Sequence, residues 1–169
     1  MANYCENYLV VEGSKEALKE WKDALVNSDV DEAVLSFNKL IPLPEEEKDN
    51  WYEWRIQNWG TRSDITGMDD AGVFPEEYSD EYKYVYEFHT AWSPPTEWLK
   101  AVGIMFPDLS FRMEYSEPGA CFAGIITVQG DEVDDFFTAD SPRKVHEFML
   151  EYFGYSHWDE EDLKGYEEE

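Results

Sequence analysis

Leu109-Ser110-Phe111-Arg112-Met113-Glu114-Tyr115-Ser116-Glu117-Pro118-Gly119-Ala120-Cys121-Phe122-Ala123-Gly124-Ile125-Ile126-Thr127-Val128 is the stretch whose reading decides the fold. Leu109, Phe111, Met113 and Tyr115 alternate with small or charged residues, the period-2 pattern of a strand with one buried face. Glu117-Pro118-Gly119 interrupts it as a turn, and Cys121 to Val128 resumes as a β-rich apolar run, so the stretch reads as a hairpin. Upstream, Pro94 and Pro95 open a helix carrying Trp98, Leu99, Val102 and Phe106, which Pro107 ends. Before it, Tyr82, Tyr84, Tyr86 and Phe88 alternate through His89 as a further strand. Downstream, Ser141-Pro142 begins a helix on which Val145, Phe148, Met149 and Tyr152 share a face.

The N-terminal part adds a strand at Tyr8 to Val11 and a helix capped by Ser14, with Leu18, Trp21 and Leu25 on one side. Ala33 to Ile41 reads as another strand, stopped by Pro42 and Pro44. Glu45 to Trp59 reads as a short helix ending before Gly60. Together these elements predict an α+β fold: a ferredoxin-like two-layer sandwich, an antiparallel sheet with helices on one face, plus a C-terminal helix, with a split βαβ unit as the simplest topology. Residues 1–154 are expected to form one domain with an insertion at about 45–80, and 155–169 a loose acidic tail that Trp158 could pin.

Charge is the second strong signal. Asp and Glu number 39 against 13 Lys and Arg, a net −26, yet 43% of the residues are hydrophobic and 17% aromatic. Self-repulsion on that scale opposes a compact state, and burial of the rings offsets it. A disordered acidic segment would lack them. Phosphate backbones and anionic membranes repel such a chain, and no apolar run reaches the ~20 residues of a membrane helix. With no leader pattern at its start, the chain is expected to be soluble and cytoplasmic. A globule of 19.8 kDa exposes about 8,600 Å², or roughly one net charge per 330 Å². Duplex DNA, treated as a cylinder, carries about one per 100 Å². Imitation of a nucleic acid would therefore need the acids gathered on one face.

Several motifs resemble a known family. Asn3-Tyr4-Cys5-Glu6-Asn7, Ser36 to Pro44, Trp51-Tyr52-Glu53-Trp54, Asn58-Trp59-Gly60-Thr61, Phe88 to Pro95, and Glu117-Pro118-Gly119 with Phe122-Ala123-Gly124 follow in order the pattern of the YubB-type ferredoxin-like proteins of phages and conjugative plasmids. The resemblance spans about residues 3 to 125. It implies a ferredoxin-like fold and a mobile-element origin, and assigns no activity.

Catalytic signatures are missing. There is no Gly-x-Ser-x-Gly, P-loop or Gly-x-Gly-x-x-Gly, and His89, His146 and His157 form no metal-binding pair. Asp131 to Asp135 lacks the glycine and closing Glu of a calcium loop. Cys5 and Cys121 read as core residues, too few for a disulfide framework or a cysteine zinc site. No cofactor or metal is expected, and no enzymatic activity. Trp51, Trp54, Trp59 and Trp92 exceed what one small sheet face needs, and any that stay exposed would suit a partner or a homodimer.

The expectation is an acidic interaction protein that inhibits a host nucleic-acid-binding defence system, CRISPR or restriction, by nucleic-acid mimicry. Its partner would be a basic host protein, with no direct contact to nucleic acid. The carboxylates expected to stand where phosphates sit are Glu76, Glu77, Asp80 and Glu81, and Asp131, Glu132, Asp134 and Asp135. The alternative is a small enzyme or ligand-binding domain with a pocket between sheet and helices, using groups such as His89 and Arg112.

Overall fold

The computed structural model describes residues 3–25, 35–65, 82–139 and 141–167. In chain order these form β1 (Tyr4–Glu12), α1 (Lys15–Leu25), α2 (Phe37–Leu40), a 3-10 turn (Glu45–Asn50) leading into α3 (Trp51–Trp59), β2 (Lys83–Ala91), α4 (Thr96–Met105), β3 (Ser110–Glu117), β4 (Phe122–Gln129), β5 (Glu132–Ala139), α5 (Pro142–Tyr152) and α6 (Glu160–Glu167). The strands make one sheet in the order β2-β1-β3-β4-β5, antiparallel at every pairing. Because β2 and β3 both run against β1, they run parallel to each other, and α4 joins them across the strand between. That is the split βαβ unit expected from the sequence.

Alternation along β1 separates two layers. Cys5, Leu9 and Val11, all fully buried, face an inner layer built from Leu18, Trp21 and Leu25 of α1, Phe37 of α2, Trp59 of α3 and Trp98, Leu99 and Val102 of α4. Trp21 is its hub. Its ring meets Trp98, Phe106 and Phe111 edge-on, and its Nε1–H donates to the Tyr86 hydroxyl at 3.1 Å. Edge-on ring pairs of this kind add about 0.5–1.5 kcal/mol each beyond area burial. On the other face, the outer one, α5 lays Val145, Phe148 and Met149 against Ala123 and Ile125 of β4, with Trp158 packed alongside.

Three expectations are corrected. Within Ala33 to Ile41, the described residues form a short helix where a strand was expected. Ser36 caps it, and Asp64 accepts from the Ser36 hydroxyl and from the N–H groups of Phe37 and Asn38, each at 2.8 Å. Residues 132–139, given no strand by the sequence reading, are the fifth strand. The acidic tail is no loose end either: Asp159 Oδ1 accepts from the N–H groups of Glu161 and Asp162, α6 follows, and Leu163 is fully buried. Those backbone bonds hold the Asp159 carboxyl below its usual range.

The glycine reading at Gly60 holds. It closes α3 in left-handed backbone with φ 85°, which only glycine adopts freely. Gly103 is required for a different reason, since a Cβ there would lie 2.3 Å from Val128 Cγ1 and 3.2 Å from the Gly130 carbonyl. Gly103→Ala should push α4 off β4 and cost about 1–3 kcal/mol, the usual range for overpacking. Urea unfolding of the variant checks this; an unchanged midpoint would show that the helix yields freely.

Candidate functional site

The register sorts the outer face into cross-strand rows. Glu12, Ser110, Gln129 and Glu132 make one row, Val10, Arg112, Thr127 and Asp134 the next, and Tyr8, Glu114, Ile125 and Phe136 a third. Helix α5 covers the β4 end of the face near Ala123. The first two rows stay open, lining a groove of about 400 Å³ with Val10, Glu12, Arg112, Thr127, Glu132 and Asp134 on its walls. Arg112 is its central cation, and its Nε and Nη2 reach Glu114 Oε1 at 3.2 and 3.1 Å. Burial pushes the Glu114 carboxyl above the usual range while Arg112 pulls it down.

The expected site residues divide. Glu132 and Asp134 stand side by side in the open rows. Asp131 lies on the β4–β5 turn beside Gly130, whose φ is 59°. Asp135 points to the inner side, where the Tyr115 hydroxyl donates to it at 3.2 Å. Burial first, and the nearby Asp135 charge second, hold that phenol well above its usual range, so Tyr115 remains the donor. It reaches Asp135 because Gly124 leaves the path clear; a Cβ there would sit 2.4 Å from the Tyr115 hydroxyl. Glu76, Glu77, Asp80 and Glu81 lie outside the described residues.

The single acidic face needed for whole-duplex imitation is therefore not what the described residues form. Glu45 to Asp49 belong to the turn packed on α3, in the helical layer, and Asp159 to Asp162 to the outer-side tail. Glu12 on the groove wall and Glu114 in the row beyond it escaped the sequence reading. Both are outward positions of alternating strands, and that alternation was the signal that could have found them.

A second concentration of titratable groups surrounds Glu6, which is 8% exposed. Its carboxylate accepts the Tyr155 hydroxyl at 2.6 Å and lies 2.9 Å from His157 Nε2, which must then be the donor. His89 Nε2 stands 4.0 Å away, its ring stacked on Tyr4. This cluster ties the segment after α5 back onto β1. Near it, His146 Nδ1 is 2.9 Å from Ser156 Oγ and its Nε2 is 3.8 Å from Glu160 Oε1. Ser156 Oγ also accepts the Trp158 N–H at 3.3 Å, so the hydroxyl links His146 to the turn before α6.

Among the described residues a groove opens on the outer face of the sheet. His89 and Arg112 do not converge on it: His89 is in the row of Glu6 and Ser116, roughly 13 Å along the sheet from Arg112. Cys5 is buried as expected, its thiol raised by burial, whereas Cys121 sits part-exposed on the β3–β4 turn with φ 61°. Among the aromatics, Trp59 is buried and Trp54 packs against the core, while Trp51 and Trp92 are exposed. The Arg55 guanidinium lies between the Trp51 and Trp59 rings, 5.0 Å from each. Among the described residues no three His, Cys, Asp or Glu are grouped to hold a metal ion, and no helix is long and apolar enough to cross a membrane.

These features define an acidic α+β domain of ferredoxin-like architecture. Over residues 75–152 the chain matches the family model described as a ferredoxin-like domain in Api92-like protein. It is similar in structure to the crystal structure of a protein api92 from Yersinia pseudotuberculosis, with a TM-score of 0.59 over 84% of this chain and 100% of that one. Sequence identity is 9%, so the likeness is one of fold. No curated protein matches the sequence. The family match begins later than the motifs quoted above and runs on through α5, which those motifs left out.

Removing one bond to the buried Glu6 should loosen the C-terminal segment. Tyr155→Phe is expected to cost about 1.5–3 kcal/mol, the range for a hydrogen bond to a charged group, while Tyr166→Phe, at a 58% exposed ring, changes little. Chemical unfolding of the two variants beside the parent protein measures the difference.

Proposed function

We propose that this protein is a binding module for a basic, nucleic-acid-handling host protein, and that its outer sheet face makes the contact. One observation carries the reading: Glu12, Glu132 and Asp134 stand together along the concave groove on the uncovered half of that face. The positive charge nearby is largely spent. Arg112 bonds Glu114, and Lys83 stands opposite Glu12 on the far side of β1, leaving the β5 side negative.

A net charge of −26 steers such a surface toward a Lys- and Arg-lined channel and away from nucleic acid itself. The partner class expected from the sequence, a CRISPR or restriction complex, offers that channel. The mechanism is competitive occupancy. Glu132 and Asp134, two residues apart on one strand and so about 7 Å apart, take the place of phosphates at one basic subsite.

Binding of the purified protein to a defence complex with a basic channel should weaken steeply between low and moderate salt. Glu132→Lys with Asp134→Lys should slow association about tenfold at low salt, with the gap closing as salt rises. Affinity indifferent to both changes would defeat the proposal.

A further inference from the structure

The strand that carries Glu132 and Asp134 is also the end of the sheet. β4 pairs with one side of β5, and among the described residues nothing pairs with the other. Alternate N–H and C=O groups along that side point outward with no strand to take them. At eight residues, Glu-Val-Asp-Asp-Phe-Phe-Thr-Ala, it is longer than an average strand and contains no proline or glycine. Val133, Phe136 and Phe137 are 42, 64 and 57% exposed along it. An edge of this kind is a template for another strand.

The charge decides which strand. Asp131, Glu132, Asp134 and Asp135 put four carboxylates into five residues. A second copy paired antiparallel over the full strand would set Glu132 across from Ala139 and Asp134 across from Phe137, leaving the acids without cations while the two negative bodies repel. A strand bearing Lys or Arg would not. We propose that β5 is an acceptor strand: an extended basic segment of the partner adds to its free edge. The inference rests on the basic-partner reading above and specifies how that partner is held.

The pleat sets the pattern of the incoming segment. Continuing the rows outward, its residues across from Glu132 and Asp134 would be Lys or Arg on the outer face, and the one beyond, across from Phe136, apolar. On the inner face it would set apolar side chains against Val133 and Phe137. Main-chain bonds would supply affinity, and the alternate side chains specificity.

The probe is a short valine-rich peptide with lysine at two alternate positions, those across from Glu132 and Asp134, titrated against the full chain, beside the same peptide N-methylated at alternate residues and a counterpart with glutamate in place of lysine. The lysine peptide should bind and slow amide hydrogen exchange across 132–138, the N-methylated one should bind about tenfold more weakly although its charge is unchanged, and the glutamate peptide should not bind. Equal binding of the methylated and unmethylated lysine peptides would overturn strand addition while leaving the basic-partner reading intact. Protection appearing at β2 and not at β5 would overturn the assignment of the edge. Loss of binding to every basic probe, the defence complex included, would remove the reading and this inference together.

Discussion

The two-sided pairing of β1 is the constraint on which the rest of the molecule depends. Hydrogen-bonded to β2 and β3 along nearly its whole length, it gives each layer its anchor through the pleat alone. Leu9 and Val11 carry the aromatic inner core, whereas Glu6, one residue out of phase with Cys5, carries the C-terminal segment. A buried carboxylate is costly unless its lone pairs are met. Tyr155 and His157 meet them, so the last part of the chain completes the environment of a residue near the first. α5, α6 and the open groove all follow from which half of the outer face this closure leaves uncovered.

The motifs that resemble a phage and plasmid family turn out to be spatial neighbours. Thr61 Oγ1 donates to the Ala91 carbonyl at 3.0 Å, Ser93 Oγ to the Gly60 carbonyl at 2.6 Å, and the Trp92 N–H to the Asn3 carbonyl at 2.9 Å. A Cβ on Gly60 would crowd the Pro94 carbonyl at 3.0 Å, and one on Gly119 would meet the Asn3 side chain at 2.7 Å. Segments far apart in sequence thus interlock at one end of the sheet. Their residue types answer to backbone geometry and hydrogen-bond satisfaction.

Legibility varied with how local each element's cause is. The β3–β4 hairpin, α4 and α5 were readable because their own side chains supply the period, the caps and the stops. α2 was misread because its local cap, Ser36, is reinforced by Asp64, a residue 27 positions beyond Phe37 in the chain, and no window around Ser36 contains it. β5 was missed because both faces of an edge strand meet solvent, so its sequence shows no alternation, and Asp is a poor strand former. Its conformation comes from pairing with β4. At the candidate site, Glu132 and Asp134 were named from the sequence, but Glu12 joins them only through the register of four strands.

Composition and periodicity, then, settled that the chain folds around aromatic rings, that helices and strands alternate about an antiparallel sheet, and that its surface is strongly acidic. Those are sums or short-range patterns, and a one-dimensional reading captures them. Which carboxylates share a face, that Asp135 turns inward to Tyr115, that the tail docks on Glu6, and that β5 ends the sheet were decided by tertiary structure. Each depends on pairing partners distant along the chain, and a one-residue change of register would reverse every side chain's face.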